Sequence, residues 1–277
     1  MVDGAGTLYV VSTPIGNLGD LSARAVETLR TVDAILAEDT RHTRALLHHF
    51  EIHTPLEAHH EHNEAATTPS LVSRLQMGAR LALVSDAGTP LLSDPGARLV
   101  HAAVAGGVPV VPVPGASALL AALVGAALPA DRFTFFGFAA RKGPERRAML
   151  AEIVDLRHTA VLYEAPARVA DTLRELAAAG AADRPAVVAR ELTKHFEEFR
   201  RGTVGELAGF YAEAPPRGEV VIVVQGGETP PIDEDALRAR AAALRTDGMS
   251  ARDVVRVLME DAGAPRNLAY RLAHDRD

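Results

Sequence analysis

The sequence predicts an α/β protein of two lobes, with a parallel-sheet N-terminal lobe, a mixed-sheet C-terminal lobe and a small helical appendage. Three observations carry this reading. From residue 8 to 128, short apolar runs alternate with amphipathic helical patterns, as in a parallel sheet covered by helices. The alternation resumes after Pro129-Ala130-Asp131, but two adjacent strand patterns there, 186–192 and 196–202, read as a hairpin and make the second sheet mixed. A Gly/Pro-rich linker at 226–232 then precedes three short helical patterns. The expected domain boundaries are 1–128, 129–227 and 228–277.

The first strand, 8–12 (LYVVS), is apolar enough to be buried on both faces. After the turn from Thr13 through Pro14 and Gly16 to Asp20, Ser22 is placed to cap a helix with Val26, Leu29 and Val32 on one face. A second strand, 34–37, ends in Glu38-Asp39-Thr40-Arg41-His42, and a helix through Leu46, Leu47 and Phe50 follows. A third strand at 54–60 leads to a helix through Leu71 and Leu75. The central strands, 80–85 and 108–113, flank a helix that stops at Gly106-Gly107. Residues 115–128 form an almost wholly apolar helix, which belongs where two lobes meet.

Beyond it lie strands at 133–138, 159–164, 186–192, 196–202 and 219–224, with helices at 145–155 and 168–179. Thr203-x-x-Glu206 has capping-box spacing for another helix. The terminal helical patterns are 234–245, 250–262 and 265–273, with Gly263 as a stop signal. The last two resemble a helix–turn–helix from which Arg266, Asn267, Tyr270 and Arg271 face out. A packing appendage is the simpler role for them than a nucleic-acid reader.

Composition narrows the function. The 277 residues suffice for a large core, and a net charge of −7 argues against a generic basic nucleic-acid coat. Local basic clusters remain at Arg141, Lys142, Arg146 and Arg147, and at Arg190, Lys194, Arg200 and Arg201. Each suits an anionic partner or simply a solvated face. The absence of cysteine excludes disulfides, thiolate nucleophiles and cysteine metal sites. No apolar run reaches the roughly 20 residues of a membrane span, and the first residues lack a signal-peptide pattern, so a cytoplasmic location is expected.

The chemistry concentrates in two loops after the central strands. The loop 86–96 carries Asp86, Asp94, two glycines and two prolines, and the loop 112–118 ends in Pro114-Gly115-Ala116-Ser117. Loops beyond the carboxyl ends of parallel strands are where α/β sheets bind ligands, and this pair suits a small, polar, positively charged one. Other motifs are missing. There is no G-x-G-x-x-G, no Walker A loop and no G-x-S-x-G elbow. His48, His49, His53, His59, His60 and His62 lack H-E-x-x-H spacing, so no metal site is expected. Glu38, Asp39 and Arg41 emerge at the same sheet edge as Asp86, and the hairpin at 190–198 offers a second charged cluster from the other lobe. Two lobes that each present polar loops imply a cleft.

Six segments together, VSTPIGNLGDLS (11–22), AEDTRHT (37–43), VSDAGTPLLSDPG (84–96), PVPGASA (112–118), ARELTKHFEE (189–198) and PRGEVVIVVQG (216–226), closely resemble one family. It is the ribosomal RNA small subunit methyltransferase I family, a branch of the tetrapyrrole-methylase-like, class III methyltransferases. The resemblance implies that fold, a homodimer, and S-adenosylmethionine-dependent 2′-O-methylation of a cytidine ribose in the decoding centre of 16S ribosomal RNA. By position in the matching motifs it implies a cofactor pocket of Pro14, Asp86, Ala87, Gly88, Leu91, Ser117 and Ala118 from the N-terminal lobe. From the C-terminal lobe it implies Tyr163, Ala189, Arg190 and Gly218. The family's usual Y-E-S-P-H-R run reads Tyr163-Glu-Ala-Pro-Ala-Arg168 here, which leaves no histidine for catalysis at that point.

A ribose hydroxyl is a poor nucleophile at neutral pH, and a base within hydrogen-bond reach contributes about 10²–10⁴-fold. Asp39 is the preferred candidate, with Glu38, His42 and a burial-neutralised Lys194 behind it. Arg41 and Lys194 would hold RNA phosphate at the cleft, extended by Arg141, Lys142, Arg146 and Arg147. The competing readings are a same-fold enzyme acting on a tetrapyrrole or protein acceptor, and a non-catalytic RNA-binding factor.

Overall fold

The computed structural model describes residues 6–227, 233–262 and 264–274. The chain divides into two compact units, Met1–Gly227 and Glu228–Asp277. In the first, strands β1 (Thr7–Val11), β2 (Ala34–Ala37), β3 (Leu56–Ala58), β4 (Arg80–Val84) and β5 (Val110–Val113) form a wholly parallel sheet in the order β3-β2-β4-β1-β5. Side chains alternate between its faces. Ile35, Ala37, Ala82 and Val84 pack on Ala25 and Leu29 of α1 (Ala23–Thr31) and Leu47 of α2 (Thr40–His49). Leu36, Leu81 and Leu83 pack on Leu71 and Leu75 of α3 (Glu64–Gln76) and on Leu99 and Ala103 of α4 (Ala97–Ala105). Ser22 caps α1, its hydroxyl accepting from the Ala25 N–H at 3.1 Å. The third strand is shorter than its apolar pattern, because Thr54 leaves the ladder to donate to the Leu29 carbonyl.

The second sheet runs β6-β7-β10-β8-β9, built from β6 (Phe133–Phe138), β7 (Thr159–Glu164), β8 (Pro185–Arg190), β9 (Glu198–Thr203) and β10 (Val220–Val224). Only β6 and β7 are parallel, so the sheet is mixed as its sequence predicts. The hairpin partner starts at Glu198 and not at residue 196, since Thr193 to Glu197 form a tight turn that leaves Phe196 exposed. One face is covered by α6 (Pro144–Asp155), α7 (Val169–Leu176) and α8 (Val204–Glu213). Thr203 and Glu206 close the capping box of α8 with bonds of 3.2 and 2.8 Å.

The other face of this sheet is covered by the first lobe's own helix, α5 (Ala118–Ala126). Leu119, Ala122, Leu123 and Ala126 pack on Val161, Val187, Ala189, Val221 and Val223. The helix begins three residues later than its apolar run, because Gly115 must lie against β1, where a Cβ would stand 3.0 Å from that of Ser12. Ser117 then caps the first turn. Small residues set the approach of α5 to the sheet. A Cβ on Gly125 would fall 2.3 Å from the ring of Phe199.

The unit at 228–277 contains α9 (Glu234–Thr246), α10 (Ala251–Ala262) and α11 (Arg266–His274) around Leu237, Ala241, Val254, Leu258, Ala269 and Leu272. Arg266, Asn267, Tyr270 and Arg271 are exposed on α11, and Arg271 pairs with Glu234 at 2.7 Å. The Gly263 stop and the linker at 228–232 lie outside the described residues. Among those described, no helix is long and apolar enough to cross a membrane.

Gly125→Ala is expected to destabilise the first unit by about 1–3 kcal/mol through overpacking against Phe199. Chemical denaturation checks this, and adding Phe199→Leu should recover part of the loss, whereas an uncoupled pair would simply add.

Candidate active site

Between the two lobes of the first unit lies a cavity of about 360 Å³. Its walls come from strand ends. Ile15 follows β1, Glu38 follows β2, and Asp86 to Thr89 with Leu92 to Asp94 follow β4. Ser117 and Ala118 open α5. From the second lobe come Phe138 at the end of β6, Tyr163 to Pro166 at the end of β7, and Gly218 to Val221 at the start of the antiparallel β10. Carboxyl ends of parallel strands from one sheet thus face the matching edge of the other.

Hydrogen bonds stitch the loops of the first lobe together. Thr13 and Gly88 exchange backbone bonds of 2.9 and 3.1 Å, and the Thr13 hydroxyl donates to the Ser85 carbonyl at 3.1 Å. Thr89 meets Ser12 at 3.1 Å and donates to the Ala116 carbonyl at 3.2 Å, so the loops after β1, β4 and β5 are tied to one another. Gly88 has φ +81°, a conformation that glycine adopts without cost. Leu91 and Ser93 hold φ values of 74° and 75° without that freedom, at about 1–3 kcal/mol each.

Three carboxylates converge on the cavity. Asp86 accepts the Asp39 backbone N–H at 3.0 Å, which fixes it between β2 and β4. Burial pushes the Glu38 carboxyl up, and Asp86 adds to the effect. Asp94 is pushed up to about 6, again by burial first and then by Glu38 and Asp86. None of the three is in an ion pair with an Arg, Lys or His among the described residues. An anionic cavity without its own cation suits a positively charged ligand.

The structure brings Asp86, Ala87, Gly88, Ser117, Ala118, Tyr163 and Gly218 together on the cavity wall, and Glu38 with them. Four other residues matched to the cofactor pocket do not reach it. Leu91 packs against the core of the first lobe, and Pro14 follows Thr13, whose backbone pairs with Gly88. Ala189 is fully buried under α5. The Arg190 side chain turns to the opposite face of the sheet, where it pairs with Glu198 at 2.7 Å.

Three proposed roles are corrected by geometry. Asp39 caps α2 and accepts three bonds from Arg41, which hold its carboxyl well below the usual range, so it is a weak base and lies off the cavity. Lys194 is not a neutral amine. Burial pulls its ammonium down, but Glu219 and Glu191, each at 2.9 Å, outweigh burial and hold it above its ordinary value. Its methylenes cover Gly16, where any Cβ would overlap them. Arg146 is only 6 % exposed and bonds Glu175, Thr172 and the Ala140 carbonyl, so it braces the second lobe and meets no outside partner. Arg41, Arg141, Lys142 and Arg147 are exposed. Sequence reasoning left Asp94 out of the pocket, although it had marked the loop that carries it; Phe138, Glu164 and Glu219 gave no signal beyond their places at strand ends.

Residues 7–208 match the family model described as Tetrapyrrole (Corrin/Porphyrin) Methylases. The chain is 45% identical over 271 residues to the ribosomal RNA small subunit methyltransferase I of Synechocystis sp., covering 97% of each chain. It is 40% identical to the protein of the same name from Bacillus subtilis, covering 97% of this chain and 94% of that one. The chain belongs to this family. The family fold extends to solved structures of low sequence identity. Uroporphyrin-III-C-methyltransferase from Thermus thermophilus matches 79% of this chain and 94% of its own with a TM-score of 0.56 at 21% identity. Cobalt precorrin-4 methyltransferase matches 79% of this chain and 94% of its own with a TM-score of 0.61 at 18% identity. The two-lobed tetrapyrrole-methylase-like fold is therefore that of this family member.

Asp94 provides a check on the cavity's electrostatics. Its folded-state pKa of about 6 lies above the ordinary 3.8, so the stability cost of ionising it sets in as pH rises from 3.8 and is complete above 6. Asp94→Asn should raise Tm at pH 8 and change it little below pH 4, measured by thermal unfolding across that range.

Proposed function

We propose that this chain transfers a methyl group from S-adenosylmethionine to the 2′-hydroxyl of a cytidine ribose in the decoding centre of 16S ribosomal RNA. The observation that carries the reading is the cavity with three unpaired carboxylates, in a chain whose relatives are named small subunit ribosomal RNA methyltransferases. When bound, the cofactor supplies an electrophilic methyl group on a positively charged sulfur. Its ammonium and sulfonium charges complement Asp86, Asp94 and Glu38, and the cavity volume suits a molecule of its size. Gly88 and Ser117 let the loop backbone approach it closely, and Phe138 with Tyr163, ring centroids 5.3 Å apart, forms an apolar wall for its adenine.

The remaining work is positioning and proton removal. Glu38 is the base best supported, since it lines the cavity and its burial strengthens it as a proton acceptor. Arg41, Arg141, Lys142 and Arg147 are free to meet RNA phosphate, with Arg41 exchanging its exposed Asp39 partner for it. Lys194 holds the cleft rim together through Glu191 and Glu219. The reading includes a cytoplasmic homodimer acting on the small ribosomal subunit. Leu120 and Val124, the latter 81 % exposed, leave an apolar edge on α5 for a second copy.

The decisive experiment maps label from S-adenosylmethionine onto small subunits that lack the modification, with tetrapyrroles as the competing acceptor. Label on the cytidine ribose is expected, and label on the tetrapyrrole alone would defeat the reading. Glu38→Gln should lower kcat by about 10²–10⁴-fold while cofactor affinity changes less than tenfold. Asp39→Asn should retain turnover, since asparagine caps a helix as well as aspartate does.

A further inference from the structure

A second cavity of about 310 Å³ lies on the opposite face of β8, lined by Arg190, Glu198, Arg200, Phe210, Tyr211 and Arg217 with two prolines beside them. Its charge is unbalanced. Glu198 bridges Arg190 and Arg200 at 2.7 Å each, and Arg217 is exposed and has no ion pair among the described residues. Three guanidinium groups therefore face one carboxylate. Tyr211 is 2 % exposed and its hydroxyl lies against the Arg200 guanidinium, whereas Phe210 and Arg217 are open to solvent. The Arg200 guanidinium lies 3.8 Å over the ring of Phe210, which gives a flat cationic platform of the sort on which unstacked bases rest.

This cavity sits back to back with the cleft. Arg217 lines one and its chain neighbour Gly218 lines the other. We propose that the Arg190–Arg200–Arg217 cavity binds a phosphodiester of the RNA substrate close in sequence to the methylated ribose, with the adjoining base against the Arg200–Phe210 platform. The proposal rests on the ribosomal RNA reading above. It assigns the arginines turned away from the cleft to substrate positioning.

The test uses the full chain with undermodified small subunits and two variants, Arg217→Glu and Phe210→Leu. Arg217→Glu should raise KM for the subunit roughly tenfold and lower the salt dependence of RNA binding by about one phosphate contact, with kcat and cofactor Kd unchanged. Phe210→Leu removes the platform and should shift KM the same way by a smaller factor. If both variants keep the KM and salt dependence of the unaltered protein, the proposal is overturned while the ribosomal RNA reading stands. An equal loss of cofactor affinity and of KM in Arg217→Glu would assign that residue to the cleft and also overturn it. Protection of the cavity by inorganic phosphate alone, with RNA binding unaffected by either variant, would show a free-anion site and overturn it too. If the unaltered protein methylates no small subunit, both readings fall together.

Discussion

Everything about the cleft depends on α5 being shared between the lobes. The helix belongs to the first lobe by connectivity and to the second by packing, since its buried side chains lie on the face of the second sheet that α6 to α8 leave bare. Burying Leu119 and Leu123 there contributes on the order of 2 kcal/mol each, more than any exposed polar contact between loops would supply. Because Ser117 and Ala118 are at once the start of α5 and part of the cavity wall, the packing that joins the lobes also fixes the wall. The cleft is thus a consequence of core formation, and its width is set by small residues such as Gly125.

With the width fixed, the loops have little freedom to relax their charges. Glu38, Asp86 and Asp94 face one cavity without a protein cation, while elsewhere on the same rim acids and bases are paired, as Lys194 is with Glu191 and Glu219. Burial first, and then the neighbouring carboxylates, raises Glu38 and Asp94, and the uncompensated charge leaves a field that a cationic ligand neutralises. Backbone strain is concentrated at the same place, at Leu91 and Ser93 beside the carboxylates and at Glu191 and Thr193 across from them. The fold tolerates both because cores on both faces of the first sheet, and another on the second sheet, over-determine the loops between them.

The parallel first sheet was legible in the sequence because strands buried on both faces must be apolar throughout, and the runs at β1, β2 and β4 are. The loops that bear Asp86, Gly88 and Ser117 were legible for a related reason: Gly, Pro, Ser and Asp cluster where the chain must turn at a sheet edge. Charge roles were not legible. Nothing in the local pattern separates Glu38, which faces the cavity, from Asp39, which caps a helix one residue later. Arg146 sits in a basic run that reads as a surface patch, yet Glu164, Thr172 and Glu175 draw it inside, and all three arrive from elements distant in sequence. A side chain's charge is local, but its partner is a tertiary fact.

Strand β8 shows how sharply that distinction acts. Side chains alternate across a strand, so Ala189 lies under α5 on the cleft side and Arg190 points to the other face among Glu198, Arg200 and Tyr211. A slip of one residue in the pairing of β8 with β10 would exchange them, placing a guanidinium against Val221 and Leu119 and an alanine beside Glu198 and Arg200. The apolar demand of α5 forbids that slip. The same packing that closes the cleft on one face therefore commits the arginines to the other. On the cleft side the sheet meets the carboxylates of the first lobe, a setting suited to a cationic donor. On the other side three arginines gather around one carboxylate, a setting suited to the backbone of a polyanion.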